Sequence, residues 1–408
     1  MSETSASESR DRSRREFLMA TAGATALTAS AFERGLAQGV KGTAGLPTAT
    51  LGKTGAKTST LGMGTSWSLS PSFVLAALKS GVHYIDTSEN YENTLAEKVL
   101  GEVLERSGMR KDVYLVTKNG RAKVGGPQAF AAYEKRLTGS LDRLRTDYID
   151  CYYLHGIEGR EIPLLKDPDV KAAFEKLKKS GKIKFCGLSC HDRQLPEIVT
   201  VAAESGWIDQ IMIQYNYRTM GNDDVRRAMD AAAKANLALV AMKTQGGAGG
   251  FKEVNPAGKF QEFVDKGFKK QQAAIKTVLA EGRIQVVVSE MTNRDMLREN
   301  MAACLEPKLS LRDQELLERH RLATSHLYCQ GCGQHCEPQA GGVAVADILR
   351  FLRYDEVYGK TRNARELYQA LPESARNLAT ANLTAAQAAC PHGLPVVELM
   401  ARAESRLA

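Results

Sequence analysis

Beyond its first forty residues, the chain of 408 residues has no apolar run approaching the roughly 20 residues needed by a membrane-crossing helix. An integral membrane helix in the body of the protein is excluded on that ground. The chain also lacks a basic block or arginine-rich stripe. Its 55 Lys and Arg are interleaved with 47 Asp and Glu, so the formal charge of +8 describes a solvated surface and not a nucleic-acid footprint. A glycine-rich phosphate turn is missing too: Gly62-Met63-Gly64-Thr65 is too weak to supply the turn of an open, doubly wound sheet. What remains, at 43% hydrophobic and 25% charged residues, is an ordinary globular composition.

The N-terminus has its own pattern. Ser13-Arg14-Arg15-Glu16-Phe17-Leu18 leads into a mild apolar run, Met19 to Ala31, which ends in Ala29-Ser30-Ala31. Paired arginines, an apolar run and a small-residue end, in that order, are the layout of a twin-arginine export signal over residues 1–40. The expected location is periplasmic or otherwise exported by the twin-arginine route, with no membrane segment left once the signal is removed.

From about Leu51 to Glu306, short β-branched runs alternate with helical spacing. Eight strands are expected: Thr58 to Gly64, Tyr84 to Thr87, Val113 to Lys118, Ile149 to Leu154, Phe185 to Ser189, Gln210 to Gln214, Leu237 to Met242 and Ile284 to Val288. Eight strand-helix units in roughly 250 residues predict an α/β fold, a closed (β/α)8 TIM barrel over residues 47–307. The remaining residues, 308–408, read as a small helical tail carrying Cys329, Cys332, Cys336 and Cys390, while Cys151, Cys186, Cys190 and Cys304 lie in segments with a buried pattern.

In a parallel barrel the chemistry sits where strands end. Asp86 closes the second strand, Tyr91 follows in the next loop, Lys118 closes the third and His155 the fourth. A phenol beside an ammonium is expected to have its pKa lowered, with a carboxylate holding the ammonium and an imidazole orienting a carbonyl. Such a set supplies the proton that reduction of a carbonyl requires.

These residues lie in Gly81-Val82-His83-Tyr84-Ile85-Asp86-Thr87-Ser88-Glu89-Asn90-Tyr91, which resembles the aldo/keto reductase signature. Thr117-Lys118, Leu154-His155, Gly187-Leu188-Ser189, Gln214-Tyr215-Asn216 and Glu299-Asn300 follow the same family pattern. The resemblance implies an oxidoreductase interconverting a carbonyl and an alcohol on a small-molecule substrate, with Tyr91 as general acid. It also implies a nicotinamide cofactor, NADP(H) or NAD(H), placed by Ser189, Gln214, Tyr215, Lys243, Thr244, Arg294, Glu299 and Asn300. Three departures stand out. Glu290 brings a carboxylate to the expected phosphate region, Cys190 stands where relatives have Asn, and Glu92 stands where they have Gly.

The run Cys329-Gln330-Gly331-Cys332-Gly333-Gln334-His335-Cys336 and the distant Cys390-Pro391 resemble part of a ferredoxin-like module found on one branch of the family. The resemblance implies one [4Fe-4S] cluster on Cys329, Cys332, Cys336 and Cys390, which either passes single electrons to a redox partner protein or braces the fold. Three residues separate Cys332 from Cys336 where a ferredoxin has two. That leaves zinc, with or without His335, and a pair of disulfides as rival readings. A rival for the whole chain is an exported electron-transfer or binding protein whose barrel has lost dinucleotide-dependent catalysis.

Overall fold

The computed structural model describes residues 45–120, 123–245, 270–323, 326, 328–357 and 359–408. The twin-arginine segment therefore lies outside the described residues. Leu46–Ala408 forms one compact unit.

Two short strands, β1 (Thr48–Thr50) and β2 (Lys57–Ser59), pair antiparallel as a hairpin. Eight more follow: β3 (Leu61–Gly64), β4 (Tyr84–Asp86), β5 (Tyr114–Lys118), β6 (Ile149–Leu154), β7 (Ile183–Cys190), β8 (Gln210–Gln214), β9 (Ala238–Met242) and β10 (Val286–Glu290). Each pairs in parallel with the next, and β10 returns to β3, closing the barrel. After each barrel strand runs a crossover helix: Pro71–Lys79, Leu95–Ser107, Ala129–Leu144, Pro168–Lys179, Leu195–Glu204, Asp223–Lys234, Lys270–Leu279 and Arg294–Leu305. This is the (β/α)8 architecture that the alternating pattern predicts.

Period-2 alternation divides the strand side chains between two layers. Tyr84, Tyr114, Tyr153, Met212, Val240 and Val286 fill the barrel interior. There Gln210 donates to the Tyr84 hydroxyl at 2.7 Å and accepts from that of Tyr114 at 2.9 Å, so the buried polar atoms are satisfied. Outward residues such as Ile85, Leu188, Ile211 and Ile213 pack against the helices. Leu51, from the hairpin turn, belongs to the interior cluster. Gly52 follows it at φ +46°, where a Cβ would come within 2.5 Å of the Asn236 carbonyl oxygen. Only glycine fits so close an approach.

Several strands differ from the sequence expectation by one or two residues at an end, and two of the differences bear on the barrel and its mouth. The run Thr58 to Gly64 breaks at Thr60, whose N–H bonds the Pro47 carbonyl while its own carbonyl accepts from Val287. The chain there leaves the antiparallel hairpin and enters the parallel barrel. The last strand runs to Glu290 instead of Val288, which puts Glu290 at the barrel mouth.

The tail has a core of its own, including Ile348, Leu349, Leu352, Tyr368, Val396, Met400 and Leu407. The apolar residues of helix Val345–Glu356 recur at helical spacing and pack against helices Thr361–Gln369 and Val396–Leu407.

Candidate active site

The four residues expected at the strand ends are brought together. Asp86 ends β4 and Lys118 ends β5. The Lys118 ammonium lies 2.6 Å from Asp86 Oδ1 and donates to the Thr87 carbonyl at 2.7 Å and to the Tyr91 hydroxyl at 3.3 Å. His155, directly after β6, meets the Tyr91 ring edge-on with centroids 5.8 Å apart. Two neighbours that the sequence did not single out fix the imidazole. Ser88 Oγ lies 3.1 Å from His155 Nδ1, and Asn119 Oδ1 accepts from the His155 backbone N–H at 3.0 Å. Both lie within two residues of a strand end, the one signal that could have found them. Behind Lys118, Thr117 donates to the buried Glu97 carboxylate at 2.6 Å, and Arg143 pairs with the same group, tying β5 to helix Leu95–Ser107.

Burial works against both charges of the Asp86–Lys118 pair, raising the carboxyl and lowering the ammonium, and their contact offsets it. The expectation that Lys118 lowers the phenol's pKa is overturned. Burial, with the negative charge of Asp86 and Glu290 and the nearby Tyr354, raises Tyr91 well above the ordinary phenol value. The reason is that the ammonium is already matched by a carboxylate at 2.6 Å. A phenol of this kind keeps its proton through the neutral range, which suits a donor.

The three sequence departures resolve in physical terms. Glu290 is spent on the loop after β3: its carboxylate accepts from the Ser66 N–H at 3.2 Å, the Ser66 hydroxyl at 2.7 Å and the Trp67 N–H at 2.6 Å. Cys190 is buried among the outward-facing apolar residues, so its thiol, pushed up by burial to about 12, does not face the mouth. Glu92 has φ +47° and is followed by Asn93 and Thr94, also in the left-handed region, a conformation that favours glycine.

The expected cofactor residues divide. Ser189 Oγ accepts from the Gly156 N–H at 2.8 Å, and Gln214, at the end of β8, shares the inward face of Gln210 and Met212. Thr244 is buried, and its hydroxyl has no hydrogen-bond partner among the described residues. Lys243 sits at φ +57° and donates to the Tyr354 hydroxyl at 2.6 Å, a partner from the tail that the sequence did not suggest. Arg294 opens helix Arg294–Leu305, with Glu299 half-buried on the same helix. Asn300 is buried and bonds Ser289 and Gln245 at 2.9 and 3.0 Å. Tyr215 is a correction. One residue past Gln214, it turns to the other face and packs in the outer layer, near Arg226, Glu281 and Arg283, and not at the mouth.

Comparison with known proteins places this assembly. Residues 55–321 match the aldo/keto reductase family model. The chain belongs to the aldo/keto reductase family. It is an oxidoreductase acting on carbonyl groups. The chain is 29% identical to L-galactose dehydrogenase of Arabidopsis thaliana over 65% of its own length and 91% of the relative's. It is 24% identical to an uncharacterized oxidoreductase of Bacillus subtilis over 64% and 90% of the two chains. The crystal structure of a thermostable aldo-keto reductase bound to epalrestat superposes with a TM-score of 0.56 at 25% identity, covering 67% of this chain and 99% of that one.

The cysteine run lies beyond the part of this aldo/keto reductase that matches the family. All eight cysteines are free. Cys329, Cys332, Cys336 and Cys390 line one small recess, together with His392 and the apolar side chains of Val345, Leu349, Leu394 and Val396. Burial raises the thiols of Cys329, Cys332 and Cys336, and the other cysteines of the set raise them further. Among the described residues, no group of three or more His, Cys, Asp or Glu side chains is arranged to hold a metal ion.

Proposed function

We propose that this aldo/keto reductase interconverts a small carbonyl compound and its alcohol with bound NADP(H) or NAD(H), and that its tail carries a [4Fe-4S] cluster. The observation that carries the reading is the Asp86–Lys118–Tyr91–His155 assembly at the strand ends. When bound, the nicotinamide would supply the hydride. Tyr91 gives its proton to the substrate oxygen as charge develops there, Lys118 holds the phenol in place, and Asp86 holds Lys118. His155, fixed by Ser88 and Asn119, orients the carbonyl.

The chain's own residues fit a dinucleotide. The buried Thr244 hydroxyl, with no hydrogen-bond partner among the described residues, is a donor suited to an acceptor such as a phosphate oxygen. Helix Arg294–Leu305 begins just after β10, and the positive end of its dipole suits an anion. Ser189 and Gln214 lie on the inward face, where a nicotinamide would be read.

For the cluster, the support is that the four thiols of Cys329, Cys332, Cys336 and Cys390 line one recess. A bound cluster supplies single-electron transfer to a redox partner protein. Export by the twin-arginine route, supported by the order of Arg14, Arg15, Phe17 and the apolar run, suits a protein that folds around a cofactor before export.

Tyr91→Phe is the deciding variant. It is expected to lower kcat about 10²- to 10⁴-fold, the usual contribution of a positioned acid, with dinucleotide binding unchanged in a nicotinamide fluorescence titration. Unchanged turnover would remove the proposed acid. Loss of dinucleotide binding in the parent chain would favour the electron-transfer reading.

A further inference from the structure

Two imidazoles stand at the barrel mouth on neighbouring strands. β6 and β7 pair in parallel with Leu154 opposite Leu188, so His155, directly after β6, and His191, directly after β7, rise at the same rim. The loop after β6 is tied to the end of β7, because the Gly156 N–H donates to Ser189 Oγ and the Ile157 N–H to the Ser189 carbonyl, each at 2.8 Å. This brings Gly156 against the second imidazole. A Cβ placed on Gly156 would lie 3.8 Å from His191 Nε2, so that nitrogen borders the residue next to His155 in the chain. Tyr91, His155 and His191 are all half-buried.

Helix Val345–Glu356 of the tail fixes this second ring. Arg350 lies 2.8 Å from His191 Nδ1, donates to the His191 carbonyl at 3.2 Å, and is itself held by Asp347 at 2.7 Å. A guanidinium can only donate. His191 Nδ1 is therefore the acceptor, which puts the proton of the neutral ring on Nε2. Tyr354, from the same helix, meets the ring edge-on with centroids 6.4 Å apart. The rest of the loop is gripped as well: Asp192 Oδ1 accepts from the Gly159 N–H at 3.3 Å, and Arg193 pairs with the buried Glu337 of the tail. Among the described residues nothing bonds His191 Nε2. A donor of fixed direction is left over at the mouth.

We propose that His191 is a substrate-binding residue of the active site, donating from Nε2 to a second oxygen of the substrate, and that Arg350 of the tail is the positioning residue that keeps the proton there. The inference deepens the catalytic reading above and rests on it. In that reading Tyr91 and His155 take the two lone pairs of the reacting carbonyl oxygen, so a further donor needs another acceptor. Because Nε2 borders the segment that carries His155, that acceptor belongs on the neighbouring carbon, as a hydroxyl, a carbonyl or a carboxylate. The substrate class is a carbonyl compound oxygenated next to its reacting carbon. An analogue without that oxygen leaves the Nε2–H unpaired and is rejected. The tail thereby helps to read the substrate, although Arg350 lies beyond the residues shared with the family.

The test uses the full chain with isotopically labelled histidine, prepared anaerobically. Long-range proton–nitrogen spectra at neutral pH should show His191, assigned by its loss in His191→Gln, as a neutral ring protonated at Nε2. Arg350→Met should give a mixture of tautomers, and Arg350→Lys, which also can only donate, should restore the single form. A proton on Nδ1, or a doubly protonated ring, in the wild type overturns the proposal whether or not the variants fold. Lactaldehyde and propanal, which differ only in the hydroxyl next to the carbonyl, test the substrate contact. The wild type should favour lactaldehyde in kcat/KM by about tenfold, the order of one hydrogen bond. In His191→Phe and Arg350→Met the KM for lactaldehyde should rise until that preference is gone, and His191→Gln, whose amide nitrogen can stand in for Nε2, should recover it. A wild type without the preference, or a loss shared equally by both aldehydes, overturns the proposal. So does a weakened dinucleotide in a nicotinamide fluorescence titration of His191→Phe with the aldehyde KM unchanged, which would assign the donor to the cofactor. Turnover of neither aldehyde by the wild type, or a fully active Tyr91→Phe, defeats the catalytic reading beneath.

Discussion

His191 sits where positive charges meet. Its Nδ1 faces the Arg350 guanidinium, which can only donate, so the ring accepts there and is neutral. Burial, then Lys243, Arg350, His155 and Lys123, hold its pKa well below 6.5. The linkage sign follows. The unfolded imidazole takes up a proton as pH falls through about 6.5 while the folded one does not, so stability is present above that value and is lost as pH falls towards the folded pKa. The thermal midpoint of the wild type should therefore drop between neutral pH and about pH 5, and His191→Gln should flatten that drop. Parallel profiles for the two proteins would show that this imidazole does not carry the effect.

At the scale of an element, the loop after β4 carries Tyr91 at a conformational cost. Glu92, Asn93 and Thr94 occupy the left-handed region in succession, at about 1–2 kcal/mol for a residue with a Cβ. Glu92→Gly removes that cost at one position and should stabilise the fold by about 1 kcal/mol, less the entropy that glycine loses. A denaturant midpoint at or below that of the wild type would show that the Glu92 side chain compensates through its own contacts. The loop after β3 is fixed by another means. Glu290 reaches across from β10 to take its N–H and hydroxyl donors, so the residue that looked like an obstacle to phosphate is a strut.

At the scale of the whole molecule, the tail joins two sites. Arg353 donates to the Cys329 carbonyl at 3.3 Å, and the next residue, Tyr354, bonds Lys243 at the barrel mouth. The recess that gathers Cys329, Cys332, Cys336 and Cys390 is walled by the tail's own core residues Val345, Leu349 and Val396. Metal binding is therefore expected to stabilise the tail. With the proposed cluster in the tail, Cys390→Ser should lose iron and sulfide from an anaerobic preparation and expose the tail to limited proteolysis while the barrel resists. Zinc in place of iron in the parent protein would assign the thiols to the rival metal. An unchanged proteolysis pattern after metal loss would separate the site from the tail's stability.

Much of this was legible in the order of residues, because barrel strands and crossover helices write their periods directly into the chain. The alternation from Leu51 to Glu306 determined the barrel. The strand-end positions of Asp86, Lys118 and His155, with Tyr91 just after, determined that these four would meet, since a closed parallel barrel brings all such ends to one rim. The grouping of four cysteines in the last eighty residues was equally plain. Other features were decided only in three dimensions, because they depend on which side chain lies beside which across long separations. Glu290 meets Ser66 only once β10 closes on β3, and Tyr354 meets Lys243 and Arg350 meets His191 only once the tail has folded onto the mouth. The same holds for the Tyr91 pKa. Adjacency to Lys118 pointed downward, but burial and the surrounding carboxylates, set by packing, drive it up.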